Sequence, residues 1–538
     1  MHNSALIAAN KQIKQFSKIT VLSTLLTLCA CNSNIKNLPK ISDIPTPDSW
    51  ETRIGNNDVP TTESLGDVES AWLKNFKDPE LDKYVAKAVQ NNPNLLNVAA
   101  QLKSAIKQVN ITGSSLWPTV STNVHQNRTT VEGQVLSPTS SITDTDGVDD
   151  GLDGVNLDGI GGDADDTTDS DETTSFSTQI RTARATLNIS WEADIWGRLT
   201  QRKKSAAYSA KAQGETFKYA RLTLVANTGR GWYNLITSKL QLDLAHQRLK
   251  SFQETASLID SNYKAGLSSA LDVYSSRSAV QQEKVALANA RFNYIQTARA
   301  FKRILGEYPN TNIEFKAVLP ELGELPPTGL PSQLLTRRPD IKASQLNYEA
   351  QIATAKATRR DLYPRLTFSG SIGDNRDTFQ ELFEGDNLIR TFLSDLTLPI
   401  FASGSLRSLH YQALYSAEAA YANLLTTTLT AFEEVENALS QETLLREQKV
   451  ATQEGVSLSE NALEIALDRY KLGIENYTTV LESQRQLFSS KQNELNIRNA
   501  LLQNRISLHL ALGGGFSDEV DPNPLKSLPT ISNLKSSQ

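Results

Sequence analysis

Cysteine is almost missing from this chain. Cys29 and Cys31 are the two that occur among 538 residues, which leaves no disulfide framework and no thiolate metal cluster beyond that pair. Histidine is nearly as sparse: His2, His125, His246, His410 and His509 are scattered without the spacing of a metalloprotease helix. No glycine-rich phosphate loop follows a strand either, so neither an enzymatic reaction nor a cofactor is expected. No basic stripe is interleaved with aromatics, which argues against nucleic acid. After Ala30 no apolar run approaches the ~20 residues of a membrane helix, so any membrane crossing has to be made by strands. Proline is absent between Pro138 and Pro309 and again between Pro399 and Pro522, which permits very long helices there. Lysine and arginine are absent from Thr129 to Ile180, which holds thirteen acidic residues, so the net charge of −6 hides a remainder of about +7.

What the chain does contain begins with an export signal. Lys11, Lys14 and Lys18 precede an uncharged run from Ile19 to Ala30, long enough for a signal-peptide core and too short for a bilayer of ~30 Å. The run ends in Leu28-Cys29-Ala30-Cys31, which resembles the bacterial lipoprotein box with cleavage before Cys31 and lipid on its sulfur. Asn32 in the next position resembles the form sent on to the outer membrane.

The body of the chain is written twice. Tyr208-Ser209-Ala210, Tyr263-Lys264-x-Gly266 and Leu305-Gly306 recur as Tyr415-Ser416-Ala417, Tyr470-Lys471-x-Gly473 and Leu512-Gly513, each displaced by 207. Upstream, Pro93 and Trp117-Pro118 answer to Pro339 and Tyr363-Pro364 at a displacement of 246, so the first copy carries 39 extra residues. That insertion is the Asp/Gly-rich stretch of about 140–174. The resulting organisation is a signal peptide over 1–30, an extended segment over 31–67, a first repeat over 68–310, a second over 311–515 and a tail over 516–538. Each repeat reads as helix, strand pair, very long helix, break, helix.

The strands are legible by alternation. From Arg181 to Glu192, Ala183, Ala185, Leu187, Ile189 and Trp191 fall on one side against Thr182, Arg184, Thr186, Asn188 and Ser190 on the other. Val120 and Val124 alternate with Ser121, Asn123 and His125, and Leu366, Phe368 and Ile372 with Thr367, Ser369 and Ser371. A fourth, less regular strand runs through Phe392, Leu396, Leu398 and Ile400. Four strands cannot close a barrel, and open edges are not tolerated in hydrocarbon, so a membrane role demands several chains. The helices are expected to be about sixty residues, roughly 90 Å, followed by about thirty-five. Leu425, Leu429, Phe432, Val435 and Leu439 recur at coiled-coil spacing.

Together, Asn92-Pro93, Arg338-Pro339-Asp340, Asp194-Ile195-Trp196-Gly197-Arg198, Leu398-Pro399-Ile400-Phe401, both Tyr-Lys-x-Gly segments and Ala511-Leu512-Gly513-Gly514-Gly515 resemble the TolC/OprM-type outer membrane efflux channels, most of all the lipid-anchored OprM-like branch. The resemblance covers roughly residues 68 to 515. It implies a mainly α fold with membrane β, in which a long coiled-coil α-barrel continues four strands per chain that build a trimeric twelve-stranded β-barrel. It implies a homotrimer in outer membrane lipid, exporting small molecules passively, with a periplasmic adaptor (membrane fusion protein) and an inner-membrane RND transporter as partners. The exit duct of a type I protein secretion system, and a periplasmic coiled-coil adaptor or scaffold lipoprotein, are the competing readings.

Gly266 and Gly473 allow the backbone of a tight reversal and mark two helix-hairpin tips. By the resemblance, Lys264, Gly266, Leu267, Ser268, Lys471, Gly473 and Ile474 are adaptor contacts. Thr478, Glu482 and Arg485, on one helix face, match the family's closed aperture, although Glu482 stands for the usual aspartate and Thr478 for an apolar residue. The acidic insertion belongs to a hairpin whose tip faces outside the cell in this family. Asp144, Asp146, Asp149 and Asp150 supply carboxylate oxygens for a divalent cation without the ordered spacing of an EF-hand.

Overall fold

The computed structural model describes residues 38–47, 50, 72–135, 174–377, 380 and 388–514. The expected signal peptide, Cys31, the carboxylates Asp144, Asp146, Asp149 and Asp150, and the expected C-terminal tail lie outside the described residues. The chain divides into two compact units, neither of them one of the sequence repeats: helices gather from Met1–Gly113, Trp196–Tyr363 and Pro399–Gln538, strands from Ser114–Ile195 and Pro364–Leu398. Each repeat gives one strand pair to the second unit.

In the strand unit, β1 (Thr119–Val135), β2 (Thr174–Ala193), β3 (Arg365–Arg376) and β4 (Ile389–Thr397) form one antiparallel sheet in that order. Its register sets Val120 opposite Ile189, Leu187 opposite Ile372, Trp191 opposite Phe368 and Gly370 opposite Phe392. Because side chains alternate with period two, these pairings place Val120, Val124, Leu187, Ile189, Trp191, Phe368, Ile372, Phe392 and Leu396 on one face, while Ile389 and Leu393 of β4 fall on the other. Trp191, Phe368 and Phe392 form a stacked ladder across the first face, with ring centroids 5.7 and 6.3 Å apart. Ser121, Asn123, Thr186, Asn188, Ser190, Thr367, Ser369 and Ser371 lie on the second face. The fourth strand is shorter than its pattern suggests: it ends at Thr397, because Pro399 has no amide to extend the ladder, and Leu398 and Ile400 lie beyond it. Among the described residues β1 and β4 each have one neighbour, so both edges of the sheet are open.

The helical unit contains α1 (Pro79–Asn91), α2 (Pro93–Ser114), α3 (Arg198–Lys264), α4 (Ala270–Ile304), α5 (Pro339–Arg360), α6 (Ser405–Lys471) and α7 (Tyr477–Ala511), besides a single turn at Leu334–Arg337. The duplication holds residue for residue: α2 and α5 are both 22 residues, α3 and α6 both 67, α4 and α7 both 35. At 1.5 Å per residue the long helices reach about 100 Å. Gly197 and Gly404 start them in the left-handed region, at φ 74° and 79°. Among the described residues no helix is long and apolar enough to cross a membrane.

Helix starts follow local chemistry. Asp78 accepts from the amides of Glu80 and Leu81 to cap α1, and Asn92 accepts from Asn94 and Leu95 to cap α2. Arg338, before Pro339, pairs with Asp340 at 2.7 Å and Glu434 at 2.6 Å and donates to the carbonyl of Ala511 at 3.1 Å, closing the end of α7. The main core gathers Trp72, Phe76, Trp232, Tyr233 and Phe301. The segment between the repeats is held from its carbonyls: Arg446 donates to Gly323, Arg498 to Leu319 and Arg505 to Glu324. Arg505 also donates to the fully buried Glu442 at 2.5 Å.

Of the stripe expected on α6, Phe432, Val435 and Leu439 are buried, whereas Leu429 faces outward and Leu425 is half-buried; Leu424, Thr428, Ala431, Ala438 and Glu442 complete the buried side. Thr428 is accommodated because its hydroxyl donates to the Leu424 carbonyl within its own helix, so a polar residue occupies a seam position without an unpaired group.

Candidate functional site: the helix-hairpin tips

Both tips are built by one backbone motif. At the end of α3, Gly266 takes φ 75°; its amide donates to Tyr263 and that of Leu267 to Asn262. At the end of α6, Gly473 takes φ 74°, with amides pairing Gly473 to Tyr470 and Ile474 to Arg469. This is the Schellman termination, in which a left-handed residue lets two amides satisfy the last carbonyls of the helix. Glycine is needed for that angle alone, because among the described residues a Cβ at either position meets nothing within 4 Å. The apolar residues beside the glycines point to solvent: Leu267 is 78% exposed and Ile474 63%.

Charge at the first tip is organised around Asp260. Lys264 lies 2.7 Å and Arg277 2.9 Å from its carboxylate, and hydrogen bonds from Lys264 and then Arg277 hold Asp260 below the usual carboxylate range. Lys471 at the second tip pairs with Asp468 at 2.9 Å. α4 opens with a capping box, in which Ser269 Oγ accepts from the Asp272 amide and the Asp272 carboxylate accepts from the Ser269 amide. Asp272 is thereby a helix cap.

The two tips of one chain are tied together. Ser268 Oγ and the Tyr470 hydroxyl lie 2.9 Å apart, and behind them Ile259, Val273, Leu463, Tyr477 and Val480 form a small core. Burial pushes the Tyr477 phenol up to about 12. Above this core Gln484 is fully buried, donating to Thr255 Oγ1 at 2.7 Å and Ser251 Oγ at 3.1 Å.

Thr478, Glu482 and Arg485 are all exposed along one side of α7. Arg485 donates to Gln282 on α4 at 3.2 Å, and among the described residues Glu482 has no hydrogen-bond or ion-pair partner within the chain. The structure thus brings together Ser268, Gly266 and Leu267 with Tyr470, Lys471 and Gly473, and sets the Thr478, Glu482 and Arg485 face one to two helical turns along. Tyr470 as a latch, Gln484 as a buried tie and Asp260 as a charge organiser were missed in the sequence. Their partners are fixed by tertiary packing, and the Tyr-Lys-x-Gly motif alone pointed to Tyr470.

The sequence profile of the family described as "Outer membrane efflux protein" matches residues 84–307 and 330–514. The chain is 29% identical over 460 residues, 85% of its length and 88% of the relative's, to the probable efflux pump outer membrane protein SepC of Pseudomonas putida. It is 28% identical over 506 residues, 93% of its length and 97% of the relative's, to the pyoverdine export outer membrane protein OpmQ of Pseudomonas putida. Its fold is that of the Campylobacter jejuni CmeC outer membrane channel, with TM-score 0.76 at 22% identity over 92% of this chain and 99% of that one. The fold of CusC is similar, with TM-score 0.71 at 21% identity over 89% of this chain and 100% of that one. Both repeats fall within the family match, so this chain belongs to the outer membrane efflux protein family, whose members are efflux channels and not enzymes.

Proposed function

We propose that three copies of this chain form the exit channel of a tripartite pump, with their sheets closed into one twelve-stranded barrel. The observation that carries this is the sheet itself: four strands with an apolar face, a polar face and two open edges. In lipid such edges must be paired, and strands from other copies supply the pairing. The relatives' names, with solvent, antibiotic and pyoverdine among them, favour small molecules over proteins as the cargo. Cys31 anchors the chain by lipid at the outer membrane. An adaptor of the membrane fusion type engages the exposed tips through Leu267, Ser268 and Ile474 beside Gly266 and Gly473, with Lys264 and Lys471 giving charge, and an RND transporter delivers the cargo.

Glu482 and Arg485, related by the threefold axis, link neighbouring chains and hold the aperture shut, with Thr478 beside them. Exposed ion pairs contribute ~0–1 kcal/mol each. Three of them bias the closed state by up to ~3 kcal/mol, about 150-fold, which is within reach of an adaptor's binding energy. Planar-bilayer conductance tests the reading. The native trimer is expected to conduct weakly and Glu482→Ala/Arg485→Ala strongly. Equal, substantial conductance in both removes these residues as the gate; no conductance in either folded sample removes the channel.

A further inference from the structure

We infer that residues 528–534, which lie outside the described residues, are a second ligand for the groove that residues 38–44 fill, so that two segments of one chain compete for a single site. The groove lies against α5 and α6 of the second repeat. In it Leu38 packs on Ala355, Ala413 and Leu414, and the carbonyl of Pro39 accepts from the Tyr348 hydroxyl at 2.6 Å. Ile41 and Ile44 enter the apolar cluster of Leu334, Ile341 and Leu424. A tight turn at Ile41–Asp43 sets their spacing, closed by the Asp43 carboxylate, which accepts from the Lys40 amide at 3.0 Å and the Ser42 hydroxyl at 3.2 Å. Lys40 itself is exposed, so its side chain is not read.

The same pattern occurs once more in the sequence. Lys36-Asn37-Leu38-Pro39-Lys40-Ile41-Ser42-Asp43-Ile44 recurs as Lys526-Ser527-Leu528-Pro529-Thr530-Ile531-Ser532-Asn533-Leu534 at a displacement of 490. Each group that the groove reads is kept or replaced by one that can do its work. Asn533 offers an amide oxygen where Asp43 offers a carboxylate, and Leu534 stands for Ile44. The unread Lys40 becomes Thr530. This recurrence is separate from the main duplication, and the first repeat has no equivalent groove, since Leu102 takes the place of Tyr348 and Ala207 that of Leu414.

The second ligand can reach the groove. Leu508, Ala511 and Leu512 belong to the same apolar cluster as Ile44, so the chain leaves α7 at that end of the groove. From Ile341 to Ala355 the groove runs ~21 Å along α5. Residues 515–527 extend up to ~43 Å, enough to bring Leu528 to its far end. The two ligands are unequal, because the first continues to Trp50, which is buried against Phe432 and donates to the Gly329 carbonyl at 2.9 Å. Lys535 to Gln538 offer no such anchor. Residues 38–44 therefore hold the groove when docked, and 528–534 cover its apolar wall when they are not.

Hydrogen exchange of the full chain tests this. In the native chain 38–44 is expected to be protected and 528–534 to exchange as a free peptide does. Deleting residues 37–47, or loosening them with Trp50→Ala, is expected to slow exchange of 528–534 about tenfold or more. Leu528→Asp/Ile531→Asp in the same background is expected to abolish the slowing, and Tyr348→Phe to reduce it. Free exchange of 528–534 in the folded deletion variant overturns the proposal; where that variant does not fold, free exchange in Trp50→Ala does so. Slowing that survives Leu528→Asp/Ile531→Asp, or protection of both segments at once in the native chain, places 528–534 on another surface and overturns the competition.

Discussion

Alanine in place of each of four glycines should give three different outcomes, although all four occupy the same motif at nearly the same φ. Gly266, Gly306, Gly473 and Gly513 end four helices at φ 75°, 73°, 74° and 69°. Holding alanine in the left-handed region costs ~1–2 kcal/mol wherever it occurs. At Gly266 and Gly473 nothing else is added, because no atom lies within 4 Å of the new methyl. At Gly306 the methyl would stand 2.4 Å from the carbonyl oxygen of Asn91, a backbone atom that moves only with α1. Overpacking of that kind adds ~1–3 kcal/mol, for a total of ~2–5 kcal/mol. Gly513 falls between, since the nearest atom is the Arg338 side chain at 3.0 Å. Urea unfolding of the purified protein followed by circular dichroism should therefore rank the losses as Gly266 and Gly473 below Gly513 below Gly306. Equal midpoints for Gly266→Ala and Gly306→Ala would refute the reasoning. A tryptophan at position 266 should cost no more stability than alanine there, yet reduce export through the tip.

Three further outcomes follow from buried and facing groups. Glu442→Ala strands the buried Arg505 guanidinium without its ion pair and should cost ~3–5 kcal/mol, against at most ~1 kcal/mol for Glu321→Ala at an exposed pair; comparing their urea midpoints decides. His509, stacked on Trp72, has its pKa pulled down to about 3, first by burial and then by Arg505. Its folded pKa lies below the unfolded one, so stability is intact above about pH 6.5 and is lost as pH falls toward 3, by at most ~1.4 kcal/mol per unit. His509→Phe should flatten that acid slope in a melting series. In the sheet, Leu187→Lys should cost ~2–4 kcal/mol and deplete assembled channel in membranes if its face meets lipid, whereas Thr186→Lys on the opposite face should assemble normally; equal assembly would reverse the assignment of faces.

Much of this architecture was legible because it was repeated. A displacement of 207 between Tyr-Lys-x-Gly segments predicted matching hairpins, and the helices on either side agree in length to the residue. Strand faces were legible because a period of two sorts side chains without help from tertiary structure, as the pairing of Trp191 with Phe368 shows. What stayed hidden was fixed by partners far along the chain. Leu425 and Leu429 fit a heptad as well as Leu424 and Thr428 do, and only the packed neighbours select the second set. Glu442 reads as one more solvated helix charge until Arg505 and Asn504 of α7 are placed against it. Arg485 lies three residues from Glu482 and was paired with it across the aperture, whereas within one chain its hydrogen bond goes to Gln282 of α4.

The duplication preserved backbone geometry and let side chains diverge, which is the pattern expected of a structure that must repeat its shape but not its contacts. Helix lengths, left-handed starts at Gly197 and Gly404, and glycine terminations are the same in both copies. These set the path of the chain, and a one-residue change in either 67-residue helix would rotate everything beyond it by about 100°. Side chains on the seams between helices carry no such constraint. Ser205 meets Thr354 through hydroxyls at 2.8 Å, and its counterpart Gln412 has an amide to offer. Phe252 and Phe488 pack ring to ring at 6.4 Å, while their counterparts Ser459 and Gln281 cannot. Shape is thus held by a few glycines, prolines and helix lengths, and the strength of each seam is set separately by the residues that line it.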